Sequence, residues 1–424
     1  MKTLARIAKF TIHPHPNADA LSLAKIQGTG WQVVIKTTDW VGSPHRLQEQ
    51  TSDGQDVYEG IYIALDSLLD VSIPEFSFLS PKATKTFPDG RKGHRLKTVR
   101  LRGQVSQGLV IPVPESVRFL MLTVPPETIK ARFLVPPEVR HLLNPIPDQE
   151  LLAAAAPALA LIGGDITEAD LENLYICEAL KIERYEPPIP VDLRGEMVRS
   201  PGSFVHYTDI EDAKNHPTWF TEGEQVRATE KIHGTNFRVG MVFDGKEDPE
   251  YILGSHTTAK KQVPDGGTTL YAIMADKHFP KPAMEKVVKE FFPFNEHFVI
   301  MGEVYGNKVQ DLNYGCDKNV RKVRIYDVVI DHTYQPWETV QKVATLFDVE
   351  TVPLLYRGPF NAQAVLELRD GKSTVPGASH VREGCVVTAE PEARVVDEDG
   401  STYRKILKYI SDEYLCRSGE KDGH

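Results

Sequence analysis

The sequence predicts an α+β protein in which a small β-barrel precedes a larger part that mixes strands with helices. Three observations lead to this prediction. Residues 1–115 contain short strand-like runs separated by turn residues, residues 116–190 are first proline-rich and then alanine-rich, and residues 191–416 combine apolar strand-like runs with amphipathic segments. Residues 417–424 are polar and are expected to form a disordered tail.

The composition is typical of a globular protein, with 41% hydrophobic and 25% charged residues. A net charge of -10 means that any contact with nucleic acid must come from a local basic patch. The four cysteines are isolated and form no C-x-x-C pair, which favours a reducing, cytoplasmic compartment over a zinc or disulfide framework. The apolar run 151–164 is too short to span a membrane, so we expect no membrane partner, and we expect a monomer.

The amino-terminal part has the pattern of a small barrel. Strand-like runs at Trp31–Ile35 and Ile61–Leu65 are followed by Leu96–Gly103 and Ser106–Pro112, with glycine at the corners. The segment Phe10–Leu21, together with the later Gln-Gly turn, resembles the OB-type nucleic-acid-binding modules of some tRNA synthetases.

This part also contains a basic segment that predicts a nucleic-acid-binding surface. Eight lysines and arginines lie between Lys82 and Arg102, against the single acid Asp89. Such a cluster suits a groove that follows phosphates, and Phe87 and His94 are candidates for stacking on bases. The alternative is a solvated basic hairpin. The predicted nucleic-acid-binding residues are Arg91, Lys92, Arg95, Lys97, Arg100 and Arg102.

Helices are predicted in both later parts of the chain. In the connector 116–190, Thr167 and the acids that follow it are expected to cap a short helix. Farther along, apolar residues recur at helical spacing in 281–292 and 340–347. The apolar runs 298–301 and 323–330 are expected to be buried strands.

The run Glu230-Lys231-Ile232-His233-Gly234-Thr235-Asn236 places a lysine at a glycine-containing turn after a strand-like segment. A lysine amine can attack the α-phosphate of a nucleotide, provided that the site lowers its pKa by burial or by a nearby cation. The alternative is a surface lysine at a strand end.

Two carboxylates and two further lysines follow later in the chain and supply groups that such chemistry needs. Glu303 and Glu383 each lie beside a glycine at the end of an apolar strand, where they can bind a hydrated metal ion. Lys408 is expected to contact the α-phosphate, and Lys405, three residues earlier, is expected to face the other side of the strand. The alternatives are rim carboxylates and a charged strand face.

This order resembles motifs I, III, IIIa, IV and V of the covalent nucleotidyltransferases, the superfamily of polynucleotide ligases and capping guanylyltransferases. The lysine motif, with histidine at position 233, resembles that of the RNA-ligase branch. The arrangement with an amino-terminal OB-like module resembles the fifth RNA-ligase family. The resemblance implies an adenylyltransferase domain of ATP-grasp-like ligase type over 191–416, built from antiparallel sheets with flanking helices. It also implies ATP as co-substrate and Mg²⁺ or Mn²⁺ as cofactor.

The resemblance further implies a role for individual residues. Lys231 takes AMP with help from Lys408, and Glu303 and Glu383 hold the metal. Tyr326 stacks on adenine, and His256 stands where the family often has a ribose-binding arginine. The implied ATP-binding residues are Glu230, Ile232, Asn236, Glu303, Tyr326, Lys405 and His256.

The implied function is an ATP-dependent RNA ligase that joins 3′-hydroxyl and 5′-phosphate ends. Its expected partners are ATP and RNA or RNA/DNA duplexes with a nick whose 3′-hydroxyl strand ends in RNA. A capping guanylyltransferase would need another domain after Lys408, where residues 409–424 remain, and His233 disfavours a DNA ligase. An inactive RNA-binding protein on a ligase scaffold remains an alternative.

Overall fold

The computed structural model describes residues 3–83, 85–87, 90–134, 167–185, 197–198, 204–205, 207–243, 249–256, 258–261, 269–292, 297–397 and 402–417. The chain divides into two compact units, 1–186 and 187–424, and each is described by itself. The apolar run 151–164, much of the predicted connector, Asp89 and residues 418–424 lie outside the described residues.

The first unit is built mainly from short antiparallel strands. They are β1 Ala5–Pro14, β2 Leu21–Ile26, β3 Gln32–Lys36, β4 Arg46–Gln50, β5 Asp56–Ile63, β6 Ser67–Asp70, β7 Lys85–Thr86, β8 Lys92–Arg95, β9 Val99–Leu101, β10 Gln104–Ser106, β11 Leu109–Ile111 and β12 Ile182–Arg184. The main sheet has the order β11-β5-β1-β2-β3, with β4 paired to β5. A second sheet has the order β12-β6-β8-β7, and β9 and β10 pair with each other.

The helices expected in the connector pack within this first unit. They are α1 Glu115–Thr123, α2 Pro126–Leu134 and α3 Glu168–Leu180. Thr167 caps α3 in a reciprocal arrangement with Asp170, which confirms that predicted helix start. Asn173 of α3 accepts hydrogen bonds from the backbone N–H groups of Leu4 and Ala5 at 2.8 and 3.0 Å. The described connector residues before 187 therefore belong to the amino-terminal unit.

The second unit combines two larger sheets with helices. Its strands are β13 Met197–Val198, β14 Glu211–Asp212, β15 Gln225–Lys231, β16 Thr235–Val242, β17 Glu250–Gly254, β18 Ala259–Lys260, β19 His297–Gly306, β20 Arg321–Ile330, β21 Thr333–Tyr334, β22 Glu350–Thr351, β23 Leu354–Pro359, β24 Gly384–Ala389, β25 Arg394–Val396, β26 Thr402–Arg404 and β27 Ile406–Ile410. Its helices are α4 Leu270–His278, α5 Lys281–Phe291, α6 Trp337–Leu346, α7 Ala362–Arg369 and α8 Asp412–Leu415.

These strands form an eight-stranded sheet, a five-stranded sheet and a separate pair of β25 with β26. The larger has the order β13-β18-β17-β16-β19-β20-β21, with β22 on β20, and the smaller has the order β14-β27-β24-β15-β23. Met284 of α5 and Val340 of α6 are fully buried in the largest core cluster, with Phe298 and Ile300 of β19. The helical periodicity of both segments and the buried strands are thereby confirmed.

A buried ion pair links β20 of the larger sheet to β26. Both guanidinium Nη atoms of Arg404 donate to Asp327 of β20, at 2.7 and 2.9 Å. The two side chains are 4% and 2% exposed. Because a charge buried at this depth requires its partner, the pair fixes the position of β26 relative to β20.

The described helices are all too short or too polar to cross a membrane.

Candidate active site

Lys231 is the last residue of β15, and its Nζ lies 2.7 Å from Oε1 of Glu383. The sheet register explains the contact, because Lys231 pairs with Gly384, the residue that follows Glu383. A Cβ at position 384 would overlap the backbone oxygen of Tyr409, so glycine permits the close approach of β27 there. The predicted lysine and carboxylate are therefore brought together.

Glu303 reaches the same place from the larger sheet. It lies on β19, opposite Asn236 of β16. Gly234, in the turn between Lys231 and β16, packs against this strand so closely that a Cβ would overlap the backbone oxygen of Val304. The glycine of the lysine motif thus lets the turn pack onto the strand that carries Glu303.

Burial and the charges of neighbouring groups together determine the pKa values of Lys231, Glu383 and Glu303. Burial lowers the pKa of Lys231, but the negative charges of Glu383 and Glu303 outweigh it and raise the pKa above its ordinary value. Burial also opposes ionisation of Glu383, yet Lys231 and His233 lower its pKa to about 2. Burial, reinforced by Glu383, raises the pKa of Glu303 to about 8 despite Lys231. In the site without ligand, burial alone therefore does not lower the pKa of Lys231, and the lowering by a nearby cation stays a prediction.

The carboxylates have the chemistry that a magnesium or manganese ion requires. Oε2 of Glu383 is buried and has no hydrogen-bond partner among the described residues. Within the described part of the chain, no group of three or more His, Cys, Asp or Glu is arranged to bind a metal. Mg²⁺ commonly uses one or two carboxylates together with water and substrate phosphates, so Glu383 and Glu303 fit this donor set.

Lys408 shares the sheet face of Lys231. Val386 of β24 pairs with Thr229 on one side and with Lys408 on the other. Paired residues and residues two apart in a strand point to the same side, so Thr229, Lys231 and Lys408 lie on one face. Lys405 instead pairs with Glu224, at 2.7 Å, and the predicted contact of Lys405 with ATP finds no support in this arrangement.

An aromatic and polar cluster adjoins Glu303. Tyr326 is the extra residue of a bulge in β20, and its hydroxyl accepts a hydrogen bond from Nδ2 of Asn236. Its ring lies 5.0 Å from that of Tyr207, whose ring in turn is 6.2 Å from the imidazole of His256. His256 also lies 3.5 Å from Asp209. The structure brings Asn236, Tyr326 and His256 together and adds Tyr207, for which the sequence indicated no chemistry.

Two predicted nucleotide contacts point elsewhere. Glu230 is 1% exposed, and its carboxylate accepts hydrogen bonds from Ser373 at 2.5 Å and from the amide and hydroxyl of Thr374 at 2.7 and 2.6 Å. The side chain of Ile232 lies in the largest core cluster. Glu230 neighbours Lys231 in sequence but faces the other side of β15, so neither side chain adds to the Lys231 face.

His233 lies at the centre of a hydrogen-bonded group that the sequence did not reveal. Its Nε2 lies 2.5 Å from Oδ1 of Asp311, and its Nδ1 lies 2.8 Å from the hydroxyl of Tyr414. Arg417 donates to Asp311 at 2.9 Å, so this residue, which we assigned to the disordered tail, is held in place. Burial raises the pKa of Asp311, but Arg417 and His233 outweigh it and leave the pKa below its ordinary value.

In the first unit, the predicted basic surface is only partly available to nucleic acid. Arg91 binds Asp70 at 2.5 Å and Glu183 at 3.3 Å, and Arg95 binds Asp66 at 2.7 Å. These two guanidinium groups are paired with protein carboxylates, so their predicted contact with phosphate finds no support in this arrangement.

The remaining predicted basic residues are more accessible. Lys92, Arg100 and Arg102 are exposed, and Lys97 is half-buried. Phe87 is 2% exposed and packs beneath Arg91, so the expectation that it stacks on bases is wrong. His94 is half-buried, with Nδ1 3.0 Å from the backbone oxygen of Lys82.

The fold and the site define a ligase of the nucleotidyltransferase type, and the similarity to known proteins agrees with that class. Residues 224–410 match the family model of RNA ligases, and residues 1–113 match the model of an OB-fold domain. The second unit therefore contains an RNA ligase domain and the first an OB-fold domain, which confirms the resemblance drawn from the motifs. Among curated proteins, none matches this chain.

Solved structures with the same fold include those of an RNA ligase from Naegleria gruberi. The complex of that ligase with PPi has a TM-score of 0.63 and 22% identity, covering 98% of both chains. A mutant of the same ligase with ATP and Mn has the same TM-score and identity over 97% of this chain and 98% of that one. A further mutant with AMP and Mn matches with a TM-score of 0.63 and 22% identity, over 98% of each chain. The shared fold extends over both units of the present chain.

Proposed function

We propose that this protein is an ATP-dependent RNA ligase that joins 3′-hydroxyl and 5′-phosphate ends through a lysyl-AMP on Lys231. The observation that carries the proposal is the placement of Lys231 between Glu383 and Glu303, on the sheet face of Lys408, within an RNA ligase domain. The solved complexes of the Naegleria gruberi ligase with ATP, AMP and Mn support the choice of nucleotide and metal.

In the first step, Nζ of Lys231 attacks the α-phosphorus of ATP, forming a P–N bond as the bond to pyrophosphate breaks. Nζ must be an uncharged amine for this attack. The carboxylates of Glu383 and Glu303 favour the ammonium form, so a divalent cation bound beside them would be needed to lower the pKa of Nζ, and the proton would then pass to solvent. Oε1 of Glu383, 2.7 Å from Nζ, is placed to accept the hydrogen bond until then.

A divalent cation held by Glu383 and Glu303 would supply positive charge beside the phosphates. The protein groups perform the remaining tasks. Lys408 offsets the negative charge of the α-phosphate, and Tyr326 with Tyr207 provides aromatic surface for the base. Asn236, whose Oδ1 is buried without a partner among the described residues, is placed to bind a donor of the nucleotide.

In the second step, the 5′-phosphate of RNA attacks the lysyl-AMP, which releases Lys231 and forms a 5′–5′ adenylylated end. In the third, a 3′-hydroxyl attacks that end, the phosphodiester forms and AMP leaves. We propose that the substrate is a nick in a duplex whose 3′-hydroxyl strand ends in RNA. The OB-fold domain binds the flanking duplex through its exposed basic residues Lys92, Arg100 and Arg102.

The proposal is tested by incubating the protein with α-labelled ATP or GTP and magnesium, followed by a denaturing gel. We expect label from ATP in the wild type and in Lys342→Ala, an exposed lysine on α6, and no label in Lys231→Ala. Label from GTP alone would indicate a capping-type enzyme, and no label from either nucleotide would indicate a binding protein. Nicked duplexes with RNA or DNA at the 3′-hydroxyl end then test the substrate.

A further inference from the structure

The last described helix places a tyrosine against the histidine of the Lys231 turn. The hydroxyl of Tyr414 in α8 lies 2.8 Å from Nδ1 of His233. The two rings meet edge to face, with centroids 5.5 Å apart. Tyr414 is 4% exposed and His233 is 3% exposed, so water does not substitute easily for this contact.

The same segment also holds the other side of the imidazole. Nε2 of His233 lies 2.5 Å from Oδ1 of Asp311, and Nη2 of Arg417 lies 2.9 and 3.2 Å from the oxygens of Asp311. The guanidinium of Arg417 stacks 3.6 Å from the ring centre of Tyr414. Residues 414–417 thus contact the histidine directly and support its partner.

These contacts determine which nitrogen of His233 carries the hydrogen. An ionised carboxylate can only accept, so Nε2 carries a hydrogen and donates to Asp311, and in the neutral imidazole Nδ1 accepts the hydroxyl hydrogen of Tyr414. Nδ1 is 3.7 Å from Oε2 of Glu383, beyond hydrogen-bond distance. That oxygen is buried and has no hydrogen-bond partner among the described residues. Buried polar atoms usually have a partner, so this one is available to a ligand.

Helix α8 is firmly attached beside Glu383. The amide of Ser411 donates to the backbone oxygen of Glu383 at 2.9 Å, and the Ser411 hydroxyl donates to Asp370 at 2.8 Å. Asp412 accepts from Arg369 at 2.9 Å and from Lys214 at 3.2 Å. The position of Tyr414 relative to Glu383 is therefore fixed from several directions.

We propose that Tyr414 is a positioning residue for nucleotidyl transfer at Lys231. It binds Nδ1 of His233, while Arg417 and Asp311 bind the opposite edge, and it thereby keeps the imidazole from occupying the second oxygen of Glu383. That oxygen stays available to the ligand, and Oε1 stays on Lys231. This inference rests on the proposed function, and it adds the segment after β27 to the active site.

The first test compares Tyr414→Phe with Tyr251→Phe in the full chain. Both variants lose one buried hydroxyl, and that of Tyr251 donates to the backbone oxygen of Phe279 at 2.7 Å. We expect Tyr414→Phe to slow single-turnover formation of lysyl-AMP at saturating ATP by about 10-fold or more. We expect Tyr251→Phe to change the thermal midpoint but not this rate. Equal effects of the two variants would show that the Tyr414 hydroxyl is merely structural and would overturn the inference.

The second test does not depend on activity. Nitrogen chemical shifts of ¹⁵N-histidine-labelled wild-type protein, with the His233 signal assigned from a His233→Asn sample, report the tautomer. We expect Nε2–H in the wild type and a shifted Nδ1 signal in Tyr414→Phe. A hydrogen on Nδ1 in the wild type, whether in the Nδ1–H tautomer or in the imidazolium, would overturn the inference even if Tyr414→Phe does not fold. A wild type without lysyl-AMP but with the expected tautomer would reject the proposed function while retaining the contact.

Discussion

Nζ of Lys231 and Oε1 of Glu383 are 2.7 Å apart, so the proposed nucleophile is held by a carboxylate that favours its charged, unreactive form. Glu303 adds a second negative charge once it ionises above its own pKa of about 8, and with Glu383 it raises the pKa of Lys231 above its ordinary value. An amine kept charged in this way does not react without substrate. In the proposed mechanism, a divalent cation bound beside these carboxylates would lower the pKa of Lys231 and so couple the chemistry to binding of the nucleotide and its metal.

The raised pKa of Glu303 predicts a pH-dependent effect on stability. With a folded-state pKa of about 8, Glu303 is protonated in the folded chain and ionised in the unfolded chain between about pH 4.5 and 8, so it destabilises the protein increasingly across this window. We expect Glu303→Gln to raise the thermal midpoint of the ligand-free protein by a few degrees near pH 8 and less near pH 5. Glu285→Gln, on the exposed side of α5, is the control. A difference that shrinks as the pH rises would contradict this assignment.

The second prediction concerns Glu383. Its replacement by alanine or glutamine removes the negative charge beside Lys231 and a proposed metal ligand. We expect lysyl-AMP formation with ATP and Mg²⁺ to fall by about 10²-fold or more, measured by single-turnover labelling. Glu367→Ala, on the exposed side of α7, should retain the wild-type rate. Full activity of Glu383→Gln would remove Glu383 from the site.

The third prediction separates exposed from paired basic residues in the OB-fold domain. Lys92→Ala, Arg100→Ala and Arg102→Ala should each weaken RNA binding and reduce the slope of log affinity against log salt by about 1 for each phosphate that is no longer neutralised. Arg91→Ala should instead lower the thermal midpoint, because it leaves Asp70, 3% exposed, without its cation. Fluorescence anisotropy over a salt series measures the slopes, and an unchanged slope in all three exposed variants would argue against this surface.

The fourth prediction addresses the buried pair of Asp327 and Arg404. Asp327→Asn leaves Arg404 charged and buried with one fewer anion, and we expect a loss of about 3–5 kcal/mol in the free energy of unfolding. Glu350→Gln removes a carboxylate that is 64% exposed and bound to Arg324, and should cost less than about 1 kcal/mol. Denaturant titration compares the two variants, and equal losses would mean that the buried pair has no special role.

Local patterns of the sequence predicted local structure well. The Thr167 cap and the apolar spacing of α5 and α6 each depend on residues within a few positions of one another, and all appear in the structure. The association of Lys231 with Glu383 followed from the order of the motifs, although the contact depends on the register of β15 and β24.

Contacts between distant residues that belong to no motif were not accessible from the sequence. His233 and Tyr414 are separated by 181 positions, and no pattern around Tyr414 indicates a partner. Arg91 and Arg95 were expected to bind phosphate because the basic segment 82–102 contains a single acid. The carboxylates that they bind, Asp70 and Asp66, precede them by 21 and 29 residues and lie outside that segment. The same applies to Glu230, because its carboxylate accepts hydrogen bonds from Ser373 and Thr374, which lie 143 and 144 positions later in the chain.

The most direct test of the central claim is mass spectrometry of the intact protein after incubation with ATP and a divalent cation, followed by peptide mapping. The proposal predicts one added AMP on wild-type protein, located on Lys231, and none on Lys231→Ala. An AMP adduct on another side chain, or its absence from wild-type protein that binds ATP, would contradict it.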